Sequence, residues 1–170
     1  MRKFQNLSQQ EQAPLVELYP ELEKVFSVED TDKYRFMAIS VFDHWLSEVE
    51  ANKLLADVPE IEQRQRDKKF DSFSRVIAEN TEVISFTFKG RRSKSRPVFR
   101  KFTSENSKAK YMESASNYVS NKYFFSVALP KLEALYFEGS DDTNVFYLRN
   151  ERFVYLIETW ANACGLYCLD

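Results

Sequence analysis

The sequence predicts an α+β fold in a single domain, residues 1–170, with a helical N-terminal half (1–80) followed by a strand-rich part (81–170): a mostly antiparallel sheet with two helices packed on it. Three observations lead there. Apolar residues recur at helical intervals as far as Ile77. The period then drops to that of a strand at "EVISFTFK". Further strand-like runs follow one another across turn residues, without the strict strand–helix alternation of a parallel sheet.

Taking the elements in order, Leu15, Leu18, Tyr19, Leu22, Val25 and Phe26 form the first helical stripe. Pro20 falls inside it and either kinks that helix or starts a second, because it lacks an N–H and crowds the preceding turn. The next helix is expected to start at Asp30 or Thr31, to carry Phe36, Ile39, Phe42, Trp45, Leu46 and Val49 toward the core, and to end near Asp57. Pro59 then opens "PEIEQRQRDKK", where Glu60 and Glu62 precede Arg64 and Arg66 by one turn, which reads as a solvated, self-paired segment. The apolar stripe resumes at Phe70, Phe73, Val76 and Ile77, and Asn80 is placed to end it.

In "EVISFTFK", Ile84, Phe86 and Phe88 alternate with Val83, Ser85 and Thr87, the pattern of a strand with two distinct faces. "RPVFRKFT" is its expected hairpin partner, with Val98 and Phe102 on one face and Phe99 on the other. A helix capped by Ser104 or Ser107 and carrying Tyr111, Met112, Ala115, Tyr118 and Val119 comes next. Three strands follow in "KYFFSVAL", "LEALYFE" and "NVFYLR", separated by Pro130 and by the turn "GSDDT". Asn150 caps a last helix bearing Phe153, Leu156, Ile157, Trp160 and Cys164, Gly165 closes it, and "LYCL" suits a short final strand.

Composition narrows the function. Hydrophobic residues at 44% and charged residues at 29% are those of a folding chain, not a disordered one. Only three glycines occur, which argues against glycine loops that cradle nucleotides. The N-terminal "MRKFQNLSQQEQ" is too polar for a secretory signal, and no apolar run approaches the roughly 20 residues that span a bilayer. A cytoplasmic protein with no membrane partner is expected, with Cys164 and Cys168 as reduced thiols.

The distinctive stretch is "KGRRSKSRPVFRK", residues 89–101, which places seven basic side chains in thirteen positions of a chain whose net charge is −2. Extended to Lys110, the segment holds nine basic residues and Glu105, a local charge of +8 against −10 elsewhere. Like charges on one hairpin repel unless a polyanion or nearby carboxylates offset them. Lys89, Arg91, Arg92, Lys94, Arg96, Arg100 and Lys101 are therefore the candidate contact residues for an anionic partner. Arginines suit phosphate, Phe99, Phe102 and Tyr111 offer stacking faces, and a hairpin tip fits a duplex groove. The reading is a non-enzymatic binding protein whose basic hairpin contacts nucleic acid. Its alternative is an interaction module, a regulator, inhibitor or self-associating subunit, that presents the same hairpin to an acidic protein surface. The bland competitor is a tip that faces water or pairs with the acidic remainder of its own fold.

Other chemistry has weaker signals. Glu138, Asp141, Asp142 and Asn144 gather oxygen ligands that would suit Mg²⁺ in a phosphodiesterase, but their spacing is not that of a calcium loop and their residue types are those of turns. His44, the single histidine, sits between Asp43 and Trp45 with no nucleophile placed beside it. Cys164 continues an apolar helix face and its gap to Cys168 is not that of a zinc site. No catalytic residue, metal or cofactor is expected. The aromatic residues of 123–155 are read as core rather than as an interface.

Overall fold

A computed structural model describes residues 2–27, 31–90, 95–113 and 124–170. In chain order these form β1 (Phe4–Asn6), α1 (Gln9–Leu18), α2 (Leu22–Phe26), β2 (Arg35–Ser40), α3 (Glu48–Leu54), α4 (Glu60–Asn80), β3 (Ile84–Lys89), β4 (Arg96–Phe102) and α5 (Glu105–Met112). They continue through β5 (Ser126–Leu129), β6 (Ala134–Phe137), β7 (Thr143–Leu148), α6 (Val154–Ala163) and β8 (Tyr167–Leu169). The fold is α+β. Its strands pair antiparallel throughout, in the order β1-β4-β3-β5-β6-β7-β2-β8.

Helices cover both faces of this sheet, more than the two expected. On one face Phe70, Phe73 and Ile77 of α4, Met112 of α5 and Ile157 and Ala161 of α6 bury Met37, Ile39, Val127, Leu129, Tyr136 and Phe146. On the other, Leu15 and Tyr19 with Leu22 and Val25 of α2 bury Ile84, Phe86, Phe99, Ala128 and Leu135. The alternation of Val127, Ala128 and Leu129 between the two layers is the strand period made visible.

The N-terminal 80 residues carry four helices, yet they also supply β1 and β2. The helix expected from Asp30 or Thr31 to Asp57 is replaced by β2, a turn, and the short α3, which begins at the Ser47–Glu50 capping box. Residues 36–39 are a continuous apolar run, and β2 buries Met37, Ala38 and Ile39 completely between β7 and β8. Phe36, Trp45 and Val49, assigned to a core stripe, remain 40%, 51% and 78% exposed.

Other boundaries follow the sequence closely. Pro20 separates α1 from α2, Asn80 ends α4, Ser104 caps α5, and Asn150 caps a 3-10 turn that runs into α6. Gly165, at φ +75°, ends α6 by sending its N–H to Asn162 and that of Leu166 to Ala161, a closure that a side chain would strain. Ala115, Tyr118 and Val119, assigned to the helix of α5, lie outside the described residues. No helix among the described residues is long and apolar enough to cross a membrane.

Candidate polyanion interface

The expected hairpin forms. β3 and β4 pair from Ser85↔Arg100 to Lys89↔Arg96, and Gly90 leaves β3 with φ +117°, where a side chain would be strained. β5 pairs with β3 only at Ile84 and Ser85, and β1 pairs with β4 only from Arg100 to Phe102. Among the described residues, Thr87–Lys89 and Arg96–Val98 thus pair with each other alone, and the hairpin leaves the sheet as a two-stranded ribbon. At its foot the Gln12 side chain closes the outer edge of β4: Nε2 donates to the Phe99 carbonyl at 2.9 Å and Oε1 accepts the Phe99 N–H at 2.8 Å. Pro97 beyond it has no N–H to offer.

One face of the ribbon is aromatic. Phe86, Phe88 and Phe99 line it, and Phe26 of α2 packs over them with ring centroids 6.3 Å from Phe86 and 5.1 Å from Phe88. Aromatic contacts of this kind anchor a ribbon that backbone pairing alone would leave marginal. Residues directly opposed in an antiparallel pair share a face, so Lys89, Arg96 and Arg100 all project from the other one, together with Thr87, Val98 and Ser85.

That register divides the sequence-derived site. Lys89 and Arg96 are exposed and face each other across the ribbon, and neither has an ion pair among the described residues. Arg100 shares their face but is half-buried at the ribbon's foot. Lys101 belongs elsewhere: it pairs with Gln5 on the opposite face, where its charge adds to the effect of Ser8 in holding the Glu11 carboxyl below the usual range. Arg91, Arg92 and Lys94 lie outside the described residues. Of the further basic residues, Lys108 is drawn into α5–α4 packing, donating to the Ala78 carbonyl at 3.1 Å and pairing with Glu105 at 2.6 Å.

The stacking candidates are committed to the interior. Phe99 is fully buried, while Phe102 and Tyr111 pack on each other and on Phe4, with centroids 5.2–5.4 Å apart. The aromatics of β5–β7 fill the core as expected, Phe125, Tyr136 and Phe146 being completely buried, although Phe124 and Tyr155 stay 48% and 79% exposed.

The acidic turn is structural. Asp142 accepts from Arg66 at 2.8 Å and from Gln63 at 2.7 Å, Glu138 accepts the Phe125 N–H at 3.1 Å, and Asn144 bridges Gly139 and the Tyr136 hydroxyl. Their oxygens are taken up by separate partners, and no group of three or more His, Cys, Asp or Glu that could hold a metal occurs among the described residues. Arg66 therefore departs from the solvated reading of "PEIEQRQRDKK". It makes the Glu62 pair expected one turn away, but it is buried, and its second ion pair holds α4 against the β6–β7 turn.

His44 lines the mouth of a second feature that the sequence did not reveal, a cleft of ≈ 380 Å³ walled by Phe36, Trp45, Val145 and Leu169. Its Nδ1 lies 2.6 Å from Asp43 and its Nε2 3.0 Å from Glu50, contacts that raise its pKa. Both ring nitrogens are engaged by carboxylates, so neither is aimed at a substrate as a base. Cys164 and Cys168 are free thiols packed against the core; burial raises both, Cys168 to about 12, so neither is a ready nucleophile.

No family model matches the chain, and neither a curated protein nor a solved structure matches it.

Proposed function

We propose that the ribbon is a non-enzymatic polyanion-binding arm and that its ligand is nucleic acid. One observation carries the reading. Lys89 and Arg96 are directly opposed like charges, exposed, with no carboxylate partner among the described residues, in a chain whose remainder outside 89–110 carries a net charge of −10. Opposed like charges destabilise a hairpin. An anion laid across the face relieves that repulsion, whereas pairing within the fold does not account for it. A projecting two-stranded ribbon also has the dimensions to enter the major groove of a duplex. We place the protein in the cytoplasm, where nucleic acid is at hand and Cys164 and Cys168 stay reduced.

The test is fluorescence anisotropy with labelled single- and double-stranded oligonucleotides between about 50 and 200 mM salt. If Lys89, Arg91, Arg92, Lys94 and Arg96 each neutralise one phosphate, the logarithm of affinity falls against that of salt with a slope of about −4.5 for duplex and about −3.5 for single strands. The Arg91→Ala, Arg92→Ala, Lys94→Ala triple variant is expected to flatten that slope by about 2 to 3. Absence of binding even at the lowest salt refutes the nucleic-acid reading and leaves the ribbon to an acidic protein surface, which co-purification without nucleic acid would reveal.

A further inference from the structure

Arg100 is unlike the other basic residues of the ribbon. Its guanidinium lies over the Phe4 ring, 4.2 Å from carbon to ring centroid, and Nη2 donates to the Ser85 hydroxyl at 3.1 Å. Nε is sealed from solvent without an acceptor, and Nη1 has no protein acceptor among the described residues. No carboxylate among the described residues ion-pairs with it. Burial lowers its pKa, with only Tyr111 opposing, yet an arginine does not give up its proton in a protein. The result is a standing positive charge, partly removed from water and left without a counter-charge, which is costly to maintain.

The surroundings favour an anion. Asn6 and Ser85, the residues opposed to Arg100 on β1 and β3, share its face and are neutral donors, and Arg96 and Lys89 stand further out on that face. From Arg100 to Arg96 the strand covers about 13 Å, the axial rise of roughly four nucleotides along a duplex. We infer that Arg100 seats one backbone phosphate of the bound nucleic acid, with Nη1 as the contacting donor and Phe4 and Ser85 holding the guanidinium plane in place. The inference rests on the proposed nucleic-acid reading of the ribbon and gives it a defined anchor: exposed cations outside attract the chain, and a recessed, oriented one fixes its register.

The test uses the full-length ¹⁵N-labelled protein. The Arg100 Nε–H, shielded from exchange by its burial, is followed by NMR as a single-stranded oligonucleotide, and separately inorganic phosphate, is titrated in. Its resonance is identified by its loss in Arg100→Lys. Both titrants are expected to shift it to saturation. Arg100→Lys keeps the charge but not the fork, so affinity is expected to fall about 10-fold with an unchanged salt slope, whereas Arg100→Gln flattens the slope by about 1. Oligonucleotide binding that leaves the Nε–H resonance unmoved and Arg100→Lys at full affinity overturns the seat and spares the ribbon. A shift with phosphate, in a protein that by anisotropy binds no oligonucleotide, leaves an anion seat and refutes the nucleic-acid reading. No shift with either titrant, together with no oligonucleotide binding by anisotropy, ends both.

Discussion

Arg66 and Arg100 are both drawn out of water by the fold, one at the junction of α4 with the β6–β7 turn, the other at the foot of the ribbon. Arg66 receives everything a buried cation needs: Asp142 on Nη1, Glu62 on Nη2, and the Leu54 carbonyl at 3.0 Å. Burial alone would lower its pKa, but the two carboxylates raise it above the ordinary value. Arg100 receives a ring, a hydroxyl and no carboxylate among the described residues, and its pKa falls. A neutralised buried cation is a device for holding elements together; one left without a counter-charge among the described residues is what the proposed phosphate seat would account for.

Substitutions should therefore separate the two sites by sign as well as size. Arg66→Met strands Asp142 against α4 and is expected to cost about 3 kcal/mol in urea unfolding, within the range for breaking a buried pair. Adding Asp142→Asn, which tolerates the left-handed backbone at this position (φ +52°), should recover part of that loss. Arg100→Met removes an unsatisfied donor and a cation–π contact of similar magnitude, so unfolding free energy is expected to stay within about 1 kcal/mol of the parent. A loss as large as that of Arg66→Met would erase the distinction and make Arg100 another structural arginine.

The smallest effect belongs to His44, whose carboxylate partners sit at the surface. Asp43 and Glu50 raise its pKa in the folded chain, so its contribution is fully present below the unfolded value near 6.5 and disappears as pH rises through the folded value. His44→Gln should match the parent at alkaline pH and fall slightly below it in mild acid. Glu50 has the opposite sign. Ser47 and His44 hold its carboxyl down to about 2, so its contribution is present above the unfolded value of 4.5 and is lost as pH falls toward 2.

Much of this architecture was legible in the sequence because one signal dominated each element. The alternation of Ile84, Phe86 and Phe88, the caps Ser104 and Asn150, and Gly165 each act locally, and the hairpin between them followed. β2 was not legible, because Phe36, Ile39, Phe42, Trp45 and Val49 fit helical spacing while the strand is fixed by pairing with β7 and β8, segments over a hundred residues away. The basic cluster was visible as charge, but its division was not: only the register shows that Lys101 points away from Arg96 and Arg100. Two hints were present. Gln63 and Arg66 lie on the same helical stripe as Phe70, Phe73 and Ile77, and Arg100 shares a strand face with Val98 and Phe102 two residues to either side, so the periodicity placed each arginine on an apolar face.

Gln12 and Pro97 have a bearing on how the molecule behaves in a crowd. An unpaired strand margin invites a second copy to dock by backbone hydrogen bonds, and repeated docking of that kind builds filaments. Here the peptide groups of Phe99 are already occupied by a side chain and the next position but one contributes no donor. The β4 margin of the arm therefore has little to offer a neighbouring chain of its own kind, and docking of that kind would have to use the β3 margin beyond Ser85 instead.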